Sequence, residues 1–110
     1  MRTLKKGHYC ELLAAAILHR NDYDVFHPLQ GHGPVDLVAI KLGETLLLDV
    51  KADSSRLHSG RTIPTRITRP RTKLQKQMSV RICYVDVRLR QLHITDHVND
   101  CQDAQPIILT

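Results

Sequence analysis

The chain has 110 residues, which gives room for one hydrophobic core and not for two. Hydrophobic residues at 42% and charged residues at 25% are ordinary for a soluble globular domain, while a net charge of +5 and a pI near 9.4 point to a polyanionic partner, nucleic acid ahead of membrane. No apolar run approaches the roughly twenty residues of a membrane span, and no signal-peptide core follows Met1 to Lys6, so the sequence reads as an intracellular, cytoplasmic protein.

Lys5 to about Arg20 is predicted to be an amphipathic helix, because Cys10, Leu13, Ala14, Ile17 and Leu18 recur at one helical face. Glu11 lies at the margin of that stripe and, taken alone, is an ordinary boundary glutamate able to pair with Lys5 or Lys6. Asn21-Asp22 ends the helix, and Tyr23 to His27 reads as a first strand closed by Pro28. Leu29 to Pro34 is then a loop. Its Gly31 and Gly33 fit either a plain turn or a close approach of backbone to ligand, and His32 stands within reach of a phosphate.

Val35 to Ile40 and Thr45 to Val50 are apolar runs of strand length around Leu42-Gly43, the pattern of a β-hairpin. If Leu42 and Gly43 are the two loop residues, Asp36 faces Asp49 across the ladder, with Cβ atoms about 4.5–5.5 Å apart. Lys51, two residues beyond Asp49, shares that face. Two carboxylates side by side in an apolar hairpin repel one another unless a positive charge lies between them. A hard divalent cation, Mg²⁺ or Mn²⁺, is the natural occupant, with Lys51 beside it to hold or polarise a water. The plainer reading is a structural ion pair of Lys51 with Asp49 or Asp36.

From Ser54 to Val85 there is no acidic residue, while Arg56, Arg61, Arg66, Arg69, Arg71, Lys73, Lys76 and Arg81 all fall inside. Such a run is often only a solvated face. Beside an acidic hairpin it reads as a surface that tracks phosphates. Ser54 to Arg69 is expected to be a long, flexible basic loop. Pro70 would then open a short helix, Arg71 to Met78, with Leu74 and Met78 facing inward and Gln75 and Gln77 also on it. Val80 to Val87 lacks a polar face and suits an interior strand. Leu89 to Thr95 makes the next strand after a turn near Arg88 or Arg90, and Pro106 to Leu109 is a final edge strand or a dimer contact. Cys10, Cys83 and Cys101 lack the spacing of a zinc site, and the first two read as reduced core residues.

Glu11 on a helix, Gly33-Pro34-Val35-Asp36-Leu37-Val38-Ala39, and Leu48-Asp49-Val50-Lys51 together resemble the PD-(D/E)xK nuclease superfamily. Size and element order look most like the archaeal-type Holliday junction resolvases, and are similar to small homing endonucleases of the same superfamily. Two departures stand out: Val35 separates Pro34 from Asp36, and Asp49 stands where many resolvases carry Glu.

The resemblance implies an α/β fold with a restriction-endonuclease-like core, a mixed central sheet flanked by helices in a single domain. It implies a Mg²⁺-dependent endodeoxyribonuclease in which Asp36, Asp49 and the Val50 carbonyl hold the metal. Glu11 would support the metal directly or through water, and Lys51 would position the attacking water. A helical Gln after D-x-K recurs in some branches, and either Gln75 or Gln77 would match. DNA is the expected partner, branched at a four-way junction in the resolvase reading, with recombination or repair as the setting. Lys5, Lys6, His32 and the basic residues from Arg56 to Lys76 would contact it. A homodimer is expected because one small domain offers little surface for cutting two strands. The alternatives are a sequence-specific homing or restriction-type nuclease of the same fold, and a binding module without turnover.

Overall fold

The computed structural model describes residues 3–53, 55–56, 65–66, 70–96 and 106–110. The chain runs α1 (Thr3–Arg20), β1 (Asp24–Phe26), β2 (Leu37–Lys41), β3 (Glu44–Ala52), β4 (Ser55–Arg56), β5 (Thr65–Arg66), α2 (Lys73–Gln77), β6 (Arg81–Asp86), β7 (Gln91–Ile94) and β8 (Ile107–Leu109). Six strands form one mixed sheet in the order β1-β2-β3-β6-β7-β8, antiparallel throughout except where β3 and β6 run parallel. The parallel pair requires a crossover, and the stretch holding the β4–β5 ladder and α2 supplies it. This is the expected α/β architecture.

Helix α1 lays its predicted stripe on the sheet. Cys10, Ala14, Ile17 and Leu18 are buried against Leu37, Ala39, Leu46, Leu48, Val50, Cys83, Val85, Leu92 and Ile94, with Leu13 half-buried beside them. Burying these side chains removes apolar surface from water at roughly 25 cal/mol per Å². The helix ends where expected: Asp22 takes a positive φ of 72°, and the Tyr23 N–H returns to the Leu18 carbonyl at 3.1 Å. A short polar side chain tolerates that left-handed conformation better than most. Both core thiols, Cys10 and Cys83, are free, and burial pushes each above its ordinary pKa, so they are inert packing groups.

The hairpin has the expected register. Leu37 pairs Leu48 and Lys41 pairs Glu44, around a turn whose Gly43 sits at φ +76°. Strand β3 alternates between faces. Leu46, Leu48 and Val50 go to the α1 side, leaving Asp49 and Lys51 on the other.

Three expectations need correction. Helix α2 is five residues long rather than eight, and Leu74 and Met78 are exposed; its buried residue is Gln75. The reason is a capping box. The Thr72 hydroxyl accepts from the Gln75 N–H while the Gln75 side chain accepts from the Thr72 N–H, which fixes the start of the helix and turns Gln75 inward. Arg71, expected to face phosphate, is buried, and its guanidinium donates to the Val80 carbonyl at 3.0 Å. The segment expected to be a long, flexible basic loop contains a short antiparallel ladder, Ser55–Arg56 against Thr65–Arg66. Residues 54, 57–64 and 67–69, with Arg61 and Arg69 among them, lie outside the described residues, as does Cys101. The last apolar residues form β8, an edge strand on β7.

Candidate active site

The site forms where the β2–β3 ladder breaks its pattern. The Asp36 N–H donates to the Leu48 carbonyl at 2.8 Å, one step off the regular pairing. The Val50 N–H therefore meets a side chain instead of a main-chain carbonyl: Asp36 Oδ2 accepts it at 2.8 Å. An N–H and C=O of one residue point the same way in an extended strand, so the Val50 carbonyl also faces the Asp36 side.

The Asp36 and Asp49 carboxyls are neighbours, close enough for Asp49 to raise the Asp36 pKa. Burial, first of all, raises the Asp36 pKa to about 6. The neighbouring Asp49 carboxyl adds to the rise, the Val50 N–H opposes it, and the charges of Asp49 and Glu11 raise it further.

Asp49 is buried and held from two more sides. Gln75 Nε2 donates to Asp49 Oδ2 at 3.0 Å and to the Pro34 carbonyl at 3.0 Å. Lys51 Nζ stands 3.5 Å from Asp49 Oδ1, with its side chain 42% exposed. Gln75 thus ties α2, the β3 strand and the Gly33-Pro34 turn together at one carboxylate. Gly33, at φ +123°, has the backbone freedom that the turn uses.

Glu11 is half-buried on α1 and shares with Asp36 the wall of a cavity of about 260 Å³ between α1, β1 and residues 28–37. Its charge reaches Asp36, but among the described residues no three His, Cys, Asp or Glu side chains converge closely enough to hold a metal. The neighbouring oxygen donors on this side are the Asp36 and Asp49 carboxylates, with the Val50 carbonyl on the strand edge that faces Asp36. That set suits Mg²⁺, which usually keeps several waters and takes one or two carboxylates.

Of the expected DNA contacts, Lys5, Lys6, His32, Lys73 and Lys76 are exposed. Arg56 and Arg66 lie on the β4–β5 ladder. Sequence reasoning left Gln75 and Gln77 undecided. The Thr72-x-x-Gln75 spacing is a capping-box signal that singles out Gln75 as the third helical residue. The cavity, with Phe26 and His8 on it, had no sequence signal, because its walls come from separate elements.

No known protein family's sequence profile matches the chain, and no curated protein matches it in sequence. Among solved structures it is similar to a bacterial homing endonuclease, I-Ssp6803I, with a TM-score of 0.66 and 17% identity, over the whole of this chain and 79% of that one. The likeness is one of fold: the α/β arrangement is a restriction-endonuclease-like core. No helix among the described residues is long and apolar enough to cross a membrane.

Proposed function

We propose that the chain is a divalent-metal-dependent DNA endonuclease that hydrolyses phosphodiester bonds at the Asp36–Asp49 pair. The observation that carries this reading is that pair itself. Two neighbouring carboxyls, one of them buried, with Lys51 and Gln75 both on Asp49, have no packing purpose beside Leu48 and Val50. The net positive charge and the fold likeness to a homing endonuclease support DNA as the substrate.

Asp36, Asp49 and the Val50 carbonyl would hold Mg²⁺, or Mn²⁺ in its place. When bound, such an ion neutralises charge on the phosphoryl oxygens and lowers the pKa of the attacking water. Lys51, kept near Asp49, would orient that water and offset negative charge that builds on the phosphoryl oxygens in the transition state. Gln75 fixes the rotation of the Asp49 carboxylate, and Glu11 adds negative potential from α1. Lys5, Lys6, Lys73 and Lys76 attract the backbone. One chain carries one such site, so cutting both strands calls for a homodimer with twofold symmetry.

For the substrate we favour linear duplex over a four-way junction. The fold likeness is to a homing endonuclease, and the β4–β5 ladder between β3 and α2 is the type of two-stranded ribbon that the major groove admits. The resolvase reading rests on the sequence resemblance.

The test is incubation with supercoiled plasmid, a randomised linear duplex library and a four-way junction, in Mg²⁺, Mn²⁺ or EDTA. Cleavage of duplex that EDTA stops is the expected result. Symmetric nicks confined to the junction would restore the resolvase, and full activity in EDTA, or no cleavage of any substrate, would overturn the endonuclease.

A further inference from the structure

The cavity between α1 and β1 adjoins the proposed site, and most of its lining has no part in the chemistry above. Leu12 and Ala15 wall it from α1 and Val25 and Phe26 from β1, with Glu11 and Asp36 also on its lining. Phe26 and Leu12 are 54% and 58% exposed, so its rim keeps a phenyl ring and a leucyl side chain in water. A bound apolar group would relieve that hydration. The two carboxylates repel a bare phosphate, and the other lining side chains are apolar apart from His8 and His27. A protein partner needs roughly 800 Å² of face, and this is a pit. A neutral, flat ring with polar edges fits both the size and the chemistry.

Asp36 connects the pit to the proposed site, since the same carboxyl lines the pit, accepts from the Val50 N–H next to Asp49, and feels the Asp49 carboxyl. Asp49 is buried, so a phosphate must come into the fold to reach it, and an unstacked nucleotide reaches further than one held in a duplex. We propose, resting on the endonuclease reading, that the pit takes a nucleobase flanking the scissile phosphate, turned out of the stack and packed against Phe26. Stacking on the ring returns part of the cost of extrusion and asks for no particular base.

The test begins by mapping the cut made by the wild-type protein in the randomised duplex library. Duplexes are then made with an abasic residue at either nucleotide flanking the cut, and kcat/KM is measured for wild type, Phe26→Ala and Phe26→Trp. Phe26→Ala should lower kcat/KM about tenfold on intact duplex, and Phe26→Trp should restore it. On the duplex abasic at one flanking position, Phe26→Ala should have no further effect, while at the other position its tenfold loss should persist. Equal losses on all three duplexes, with thermal melting unchanged, would overturn the pit as a base site and leave the endonuclease standing. Absence of any cleavage by the wild type would remove the endonuclease reading and this inference with it.

Discussion

Strands β3 and β6 lie side by side in parallel register, Asp49 next to Ile82 and Lys51 next to Tyr84, yet they do different work. Both are interior strands with buried centres. In β6 the buried run is Ile82, Cys83, Tyr84 and Val85; in β3 it is Leu48, Asp49 and Val50. Burial does not separate them. The difference is the supply of partners: the β2 ladder slips at Asp36, α2 presents Gln75, and Lys51 returns to Asp49. A carboxylate in that position would ordinarily be expelled from a sheet. Here three elements converge to keep it, and that convergence marks the site.

The largest effect expected from breaking this contrast is on chemistry. Asp49→Ala makes β3 resemble β6 and should cut cleavage by at least about a thousandfold. Its melting temperature should hold or rise, because an enclosed carboxylate pair is costly. DNA binding measured in Ca²⁺ should persist. A parallel loss of fold would mean that Asp49 is structural.

Next in size is Gln75→Leu, which removes the donor to Asp49 and the capping box at once. Activity should fall about tenfold to a hundredfold and stability by about 1–2 kcal/mol, read from kinetics and urea unfolding. A stability loss with no change in kcat would reduce Gln75 to a helix cap.

Arg71 and the lysines of α2 should then part company. Arg71→Ala should cost about 2 kcal/mol of stability by orphaning the Val80 carbonyl, leaving the salt dependence of DNA binding unaltered. Lys73→Ala with Lys76→Ala should weaken DNA binding and lower its logarithmic salt slope by roughly 1.8 if both lysines meet phosphates. Equal slopes for both variants would erase the distinction between buried and exposed cations.

The smallest effect is a pH dependence. Asp36 has a folded pKa of about 6 against an ordinary 3.8, so the metal-free folded chain keeps a proton that the unfolded chain releases. The sign follows: this group's stabilising contribution is full below about pH 4 and is lost as pH rises through about 6. The melting temperature of wild type relative to Asp36→Asn should decline across that interval. A flat difference would mean that Asp36 is charged throughout.

Much of this was legible in the sequence because it is periodic. The α1 stripe, the hairpin register and the interior character of β6 follow from helical and strand repeats read on single elements. The two-residue loop fixes the pairs from Lys41–Glu44 to Leu37–Leu48, but the expected Asp36–Asp49 pair lies beyond them, where the ladder slips and Asp36 bonds Leu48 instead. Gln75, Arg71 and the cavity did not follow as readily. The inward face of α2 was assigned to Leu74 and Met78 on hydrophobicity, but a helix this short has too few apolar residues to decide its own rotation. A polar residue, tied to Asp49 from a distant part of the chain, decides it. Arg71 belonged by composition to a basic run, and only the nearby Val80 carbonyl reveals its structural use.

The central claim is that Asp36 and Asp49 together hold a divalent cation, with Asp36 giving up the proton that burial helps it keep. The most direct measurement is calorimetric titration of Mn²⁺ at pH 6 in two buffers of different ionisation enthalpy, for wild type and Asp49→Ala. The account predicts binding by wild type with release of about half a proton or more, and loss of both binding and release in Asp49→Ala. Mn²⁺ binding that survives Asp49→Ala unchanged, or no binding by the wild type, would contradict it.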